Sequence, residues 1–529
     1  FDICRLLSVR RGITVLAKCD AVDADTLEVV RLEVEDFLRG SFLDPAQSPI
    51  VAVSSLTGAG LEELKSALAR VASEVTAKDS TALARLPIDR VFTMKGFGTV
   101  VTGTLVSGTI SKEEELEAFP TGRRVRVRGV QVHGSAAEKA LAGQRTALNL
   151  AGVSTEDLAR GMTLAPPETF QSTSRVDAFL TLLPSAKPLK DAARVHFHAY
   201  TMETIAEARL HGSKQLKPGE AQFVQLRLAE PTLLLPGDRF ILRQFSPVVT
   251  IGGGLVFDAA PIPKMKNAQS LLETLRAGTP QTVLQARVVR RGGRGLPLTQ
   301  ATSETGWSRE FILRQLADSV QKGSVRRIAD TLLDGPFFEQ LGSALATAVA
   351  AFHKNNPLAP GISKEELRDK LQVSAEILSA ILDGMIREKE VVAAGDLVHL
   401  PGRGVTMKDE EAESKKIIEQ AFASSGLKVP SLKEVLAGLK VDKIRAQKIV
   451  TLLLRDKILI KISDDLVFHQ SALKDLRGKI GALRSTTPKI DVARFKDLTG
   501  VSRKYAIPLL EYLDRERVTK RVGDERVIL

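Results

Sequence analysis

The chain has 529 residues, too many for one hydrophobic core, so several domains are expected. Lys and Arg number 75 against 63 Asp and Glu, and the net charge of +12 favours an anionic partner, nucleic acid first. Two cysteines, Cys4 and Cys19, leave no disulfide framework and no cysteine pair with metal-ligand spacing, and no apolar run reaches the length of a membrane span. No signal peptide is recognised, so a cytoplasmic protein without membrane association is expected. The chain begins at Phe1 rather than Met and reads as an N-terminally truncated fragment.

In residues 1–78, Gly12–Ala17 reads as a buried strand ending in Lys18-Cys19-Asp20. Residues 23–37 have helical periodicity. A second apolar run, Ile50–Val53, ends in Ser54-Ser55-Leu56-Thr57-Gly58, and Leu61, Leu64, Leu68 and Val71 recur at helical spacing. Strand, helix, strand, helix is half of a doubly wound α/β sheet. Such sheets bind ligands beyond the carboxyl ends of their strands, where both polar tails lie.

Residues 79–85 read as a polar linker. Residues 86–110 are rich in β-branched side chains and predict two strands joined at Lys95-Gly96-Phe97-Gly98, with Gly103 marking a bulge or a close backbone approach. Short β-type runs separated by glycines continue to about 165 and predict an antiparallel barrel. Within it, residues 123–128 alternate Arg with Val, giving one inward and one positive face. A second strand-rich block runs from 174 to 258. Its His196 and His198 occupy alternate strand positions and read as structural or RNA-facing.

From residue 263 onward one pattern recurs four times, starting near 296, 362, 430 and 490. Each copy has a short helix and then an apolar-plus-cap pair: Trp307-Ser308, Val373-Ser374, Val441-Asp442 and Val501-Ser502. A longer amphipathic helix follows, then a hairpin containing Asp330, Asp396, Asp465 or Asp524. Helix, turn, helix and two-stranded wing describe tandem winged helices; a helical protein-interaction array competes for the first two copies. Residues 471–529 hold 14 Lys/Arg against 8 Asp/Glu, or +6, half the net charge of the chain. Arg503 and Lys504 fall in the first turn of the last long helix, where cations oppose the helix dipole and make more sense facing phosphates. Tyr505 beside them could stack on an unpaired base, and Arg521 and Arg526 flank the wing turn. Pro508 is expected to kink this helix.

The wording of residues 86–110, of Arg128–His133, of Ala142–Leu150 and of the run from Ile490 to Gly523 resembles the selenocysteine-specific branch of the elongation factor Tu-like translational GTPases. The resemblance covers nearly the whole chain. It implies a multidomain fold: a partial α/β GTPase domain (1–78), two antiparallel β-barrels (79–167 and 172–262) and tandem, mainly α winged helices (263–335, 336–402, 405–470 and 471–529). It implies guanine reading by Lys18 and Asp20 with Ser54 and Ser55, although Ala17 stands where the family has Asn or Thr and Ser55 where it has Ala. It implies an aminoacyl-tRNA pocket at Asp89, Arg90 and Arg145, where a guanidinium favours an ionised selenol over a neutral hydroxyl. It implies messenger RNA hairpin binding by the last copy, through Arg494, Lys496, Arg503, Lys504, Tyr505, Arg521 and Arg526. The partners so implied are selenocysteinyl-tRNA, the selenocysteine insertion hairpin and the ribosome; a monomer is expected. The cofactor is GTP, with Mg²⁺ in the intact protein, yet no Gly-rich phosphate loop occurs in the sequence, so no hydrolysis is expected of the fragment alone and no catalytic residue or metal ligand is assigned. A general translational GTPase and a winged-helix DNA-binding regulator are the rival functions.

Overall fold

The structure, a computed structural model, describes residues 1–529 apart from 97, 263–267, 357, 358, 403–408, 440, 442, 464, 485, 486 and 524. Phe97, Asp442 and Asp524 therefore lie outside the described residues. Two compact units divide the chain, residues 1–338 and 339–529.

The first unit opens with two parallel strands, Thr14–Ala17 and Ile50–Val53, with Ala17 opposite Val53. Helices Ala24–Leu38 and Leu61–Ser73 follow them in chain order. Asp23 starts the first helix by accepting a hydrogen bond from the Thr26 amide at 2.7 Å. On the second helix the buried position falls to Ala67, and Leu68 is exposed despite its helical spacing.

Six strands then close a ring: Arg145–Ala151, Gly98–Thr104, Leu86–Met94, Thr163–Ala165, Glu115–Phe119 and Arg123–Val132, the last pairing back to the first. Both expectations for Gly103 are met. A Cβ there would stand 2.3 Å from the Pro87 carbonyl oxygen, and the register slips between Ile88 and Arg90, which leaves Asp89 as the bulged residue opposite. On Arg123–Val132 the valines point inward, as the alternation predicts. Three of the four outward arginines face acids, Arg123 meeting Asp157, Arg124 meeting Glu115 and Glu168, and Arg126 meeting Glu113, while Arg128 is exposed with no ion pair to a described residue.

A second closed barrel uses Thr173–Leu182, Ala221–Thr232, Met202–Leu210, Ala193–Ala199, Arg239–Arg243 and Thr250–Asp258. Gly254 is required by close packing, since a Cβ would lie 1.9 Å from the Phe179 carbonyl oxygen. The linker expectation for 79–85 fails at its end. Ala84 is buried, and Arg85 forms a two-pronged ion pair with buried Asp238 of the second barrel, both contacts at 2.8 Å. Tyr200 donates to the same carboxylate at 2.7 Å.

The first winged helix packs onto the second barrel. Its helices are Pro280–Val289, Leu298–Thr305 and Arg309–Gln321, and its three-stranded sheet combines Leu296–Pro297 with the wing Val325–Ile328 and Thr331–Asp334. Ser308 caps the long helix, accepting from the Phe311 amide at 3.2 Å. At the barrel junction lies a buried ion lattice. Arg287 reaches Asp258 at 3.0 Å and Glu304 at 2.9 Å, Arg290 touches the same two carboxylates, and Arg291 closes on Glu304.

In the second unit the next winged helix runs Ile362–Ser363, Lys364–Leu371, Ala375–Arg387 and a wing of Val392–Ala394 with Leu397–His399. Ser374 caps its long helix at 3.3 Å. The third has helices Asp409–Ser424, Leu432–Ala437 and Lys443–Arg455 with the wing Leu459–Ser463 and Leu466–His469. The fourth has Gln470–Leu483, Val492–Thr499 and Arg503–Arg515 with the wing Thr519–Val522 and Glu525–Ile528. Here Ser502 makes no side-chain cap bond, unlike Ser308 and Ser374, and the helix continues through Pro508. The third and fourth copies share one apolar core that joins Phe422, Ile449, Leu453 and Phe468 to Phe495, Leu509 and Leu513.

Removing one member of a buried ion network leaves the others uncompensated. Arg287→Met should therefore destabilise the first unit by about 3–5 kcal/mol, read as a lower urea midpoint. Burial pushes Asp258 up, but Arg287 and Arg290 outweigh it and hold the carboxyl below its ordinary value. A depressed carboxylate stabilises above its unfolded pKa of about 4 and loses that stability as pH falls through the folded value. Acid titration of the midpoint should show wild type losing stability as pH falls below about 4, and the variant, whose Asp258 is less depressed without Arg287, showing a smaller acid-dependent loss.

Candidate nucleic-acid interface

Three places carry the polar groups singled out by the sequence. The first is the carboxyl edge of the parallel strand pair. Lys18 leaves the strand in a left-handed conformation (φ 59°), and Cys19–Ala21 forms one tight turn. Lys18 and Asp20 are exposed there. Ser54 is fully buried, and its hydroxyl accepts hydrogen bonds from the amides of Leu56 at 3.2 Å and Thr57 at 3.1 Å. Ser54 thus shapes the loop, while Ser55 faces solvent beside it. Because Ala17 and Val53 are register partners, both loops leave the sheet side by side.

The second is the rim of the first barrel. The bulge re-aims Asp89, which accepts from the Thr102 hydroxyl at 2.6 Å and forms an ion pair with Arg145. The Arg145 guanidinium also lies 3.4 Å from the Thr102 hydroxyl. The hydrogen bond from Arg145 holds the Asp89 carboxyl below the usual range, and Asp89 raises Arg145 in turn. Arg90 is exposed, and no described residue forms an ion pair with it. Asp89, Arg90 and Arg145 together carry +1. Thr102 was missed by sequence reasoning; its pairing opposite Arg90 on the neighbouring strand is the signal that finds it.

The third is the last winged helix. Arg494, Lys496, Arg503, Lys504 and Arg521 are exposed. Arg494 donates to the Thr487 hydroxyl at 2.8 Å, and Arg521 to the Gly523 carbonyl at 3.2 Å, so both keep their outer faces open. Two expectations are corrected. Arg526 is 5% exposed, and its Nε donates to Asp514 at 2.8 Å, which takes it out of any RNA surface. Tyr505 is half-buried in the shared core and donates to the Val429 carbonyl at 3.2 Å, so its ring ties the third copy to the fourth rather than waiting for a base. The outward stripe of this helix is Arg503, Lys504, Ile507 and Glu511.

Comparison with known proteins matches four stretches of the chain. A family model of elongation factor Tu domain 2 matches residues 98–165, and one of the selenocysteine-specific elongation factor beta-barrel domain matches 176–263. Models of the elongation factor SelB winged helix match 346–400 and 482–528. The selenocysteine-specific elongation factor of Desulfomicrobium baculatum is 35% identical over 540 aligned residues, spanning 100% of this chain and 84% of that protein. This chain belongs to the selenocysteine-specific elongation factor family. The Escherichia coli K12 member is 27% identical, over 97% of this chain and 81% of its own. The crystal structure of a bacterial selenocysteine-specific elongation factor, EF-Sec, superposes with a TM-score of 0.64 at 25% identity, covering 100% of this chain and 83% of that one. The family is one of translational GTPases, and GTP binding comes with membership. Among the described residues no helix is long and apolar enough to cross a membrane.

The burial pattern separates two arginines of the last copy. Arg526→Ala should cost about 1.5–3 kcal/mol by removing a charge-assisted bond, whereas Arg503→Ala should stay within about 0.5 kcal/mol of wild type. Thermal unfolding of the two variants checks the order.

Proposed function

We propose that the chain delivers selenocysteinyl-tRNA to the ribosome at UGA codons, with the last winged helix anchored on a messenger RNA hairpin. The observation that carries this is the union, in one chain, of two elongation-factor barrels with a basic winged helix whose long helix begins with exposed Arg503 and Lys504. That helix start has no side-chain cap, so its first amides and two cations face the same solvent. Anchoring raises local concentration, which lets a rare tRNA compete.

The rim of the first barrel takes the aminoacyl end in this reading. Asp89 and Thr102 hold Arg145 in place, and Arg90 leaves a net positive site that favours an ionised selenol over a hydroxyl of similar size. Domain divisions at 1–78, 79–167, 172–262, 263–335, 336–402, 405–470 and 471–529 go with it. The loops of Lys18, Asp20 and Ser55 fit the base end of GTP, since both leave the carboxyl edge of adjoining strands. No Gly-x-x-x-x-Gly-Lys-Ser/Thr run occurs in the 529 residues, so they supply base reading without that phosphate cradle, no step is assigned to Mg²⁺, and hydrolysis by these residues alone is not expected.

The test is binding of the full chain to an RNA hairpin library and to duplex DNA across a range of salt. Hairpin selectivity is expected, with Arg503→Ala costing about 1–3 kcal/mol at one loop position and Lys496→Ala weakening every sequence equally. Tighter binding to duplex DNA would sink the hairpin reading, and absence of any sequence preference would leave a general translational factor. A second measurement concerns the barrel. Arg90→Ala should reduce the preference for selenocysteinyl-tRNA over seryl-tRNA by about tenfold or more in competition binding, with seryl-tRNA affinity little changed.

A further inference from the structure

A cleft between the helix Asp2–Leu6 and the second barrel is used by none of the roles above. Its volume is about 390 Å³, within the range of small-molecule sites. Leu6, Phe179 and Pro184 line its apolar side, and Arg5, Arg239 and Thr181 its polar side. No carboxylate is among the described residues that line it. Arg5 is braced by Asp2 at 3.2 Å. Arg239 is half-buried, and its guanidinium forms no hydrogen bond or ion pair with any described residue. Burial and the neighbouring Arg10 guanidinium both push Arg239 below the ordinary arginine range. The charged residues that line the cleft, Arg5 and Arg239, are both cations.

This arrangement contrasts with the more deeply buried arginines of the unit. Arg85 has Asp238, and Arg287 has Asp258 and Glu304. Arg239, half-buried and lining the cleft, has no such side-chain partner among the described residues. A planar guanidinium presents paired N–H groups that match phosphate oxygens, and two such groups flanking an apolar wall suit a phosphate carried on a flat organic body.

We propose that this cleft binds a phosphate group borne on a nucleoside-sized body, the phosphate between Arg5 and Arg239 and the body against Phe179 and Pro184. The ligand is either a free mononucleotide or the phosphorylated end of an RNA chain, and the two sources are separable. Calorimetry on the full chain uses adenosine monophosphate in one arm. The other arm uses a short RNA duplex with and without its 5′-phosphate. Saturable binding of adenosine monophosphate assigns a free nucleotide, and a gain in RNA affinity that depends on the 5′-phosphate assigns a chain end. In either arm Arg239→Met should weaken the phosphate-dependent binding at least about tenfold, and raised salt should weaken it in wild type. Because Arg239 opposes Arg10, Arg239→Met should melt no lower than wild type in phosphate-free buffer, and the melting rise that the ligand gives wild type should vanish in the variant. The proposal is overturned if neither probe shows phosphate-dependent binding at millimolar concentration. It is equally overturned if Arg239→Met binds as wild type does, or if the variant is destabilised without ligand, which would make Arg239 a structural residue.

Discussion

Four buried charged side chains at one junction, with a fifth at its edge, govern how the first winged helix is set on the second barrel. Arg287, Arg290 and Arg291 enclose Asp258 at the end of a barrel strand and Glu304 on a winged-helix helix. Taking these groups out of water is expensive, and their mutual attraction compensates only in one geometry. A junction of this kind therefore specifies orientation more than it adds stability. The Arg85–Asp238–Tyr200 cluster applies the same chemistry between the two barrels. Barrel, barrel and first winged helix are joined in series by directional links, so the first winged helix stands as an extension of the barrels.

Small apolar clusters accompany those links, Phe119 with Leu235 between the barrels and Phe257 with Val283 at the winged helix, whereas the third and fourth winged helices are joined mainly by apolar packing. Their interface is a continuous apolar core, with Tyr505 and Arg515 each donating a hydrogen bond across it to a main-chain carbonyl. This core uses one side of the long helix Arg503–Arg515, which leaves Arg503, Lys504, Ile507 and Glu511 on the other. The basic end of that stripe is its N-terminal end, where the helix dipole also favours an anion. Packing and electrostatics thus select the same third of the helix as the contact surface, and Glu511 sets a limit to how far along it a phosphate backbone can be welcome.

At the rim of the first barrel a single extra residue decides the chemistry. A regular strand would turn Asp89 away from Thr102; the bulge brings it to Thr102 and Arg145, and the unpaired Arg90 follows it in sequence. Glycine at 103 makes room for the strand crossing that the bulge requires. The positive character of this rim therefore comes from the arrangement of three side chains, since the arginine row on Arg123–Val132 is largely matched by acids.

Element types and their order are legible in the residues alone. β-branched runs with glycine breaks read as barrels, and a four-fold pattern of capped helices and wings read as winged helices, because periodicity and local backbone preference are written residue by residue. The sequence also placed Lys18, Asp20, Arg503 and Lys504 at loop or helix starts where they are found exposed. What it could not say is which polar side chains meet each other. Arg526 looked like a wing cation and is buried on Asp514; Tyr505 looked like a stacking ring and is held by Val429; Arg85 looked like linker and locks two barrels. Each outcome depends on a partner between 12 and 153 residues away. A charged residue has the same local signature whether it faces water or a buried carboxylate, so only the tertiary structure decides between them.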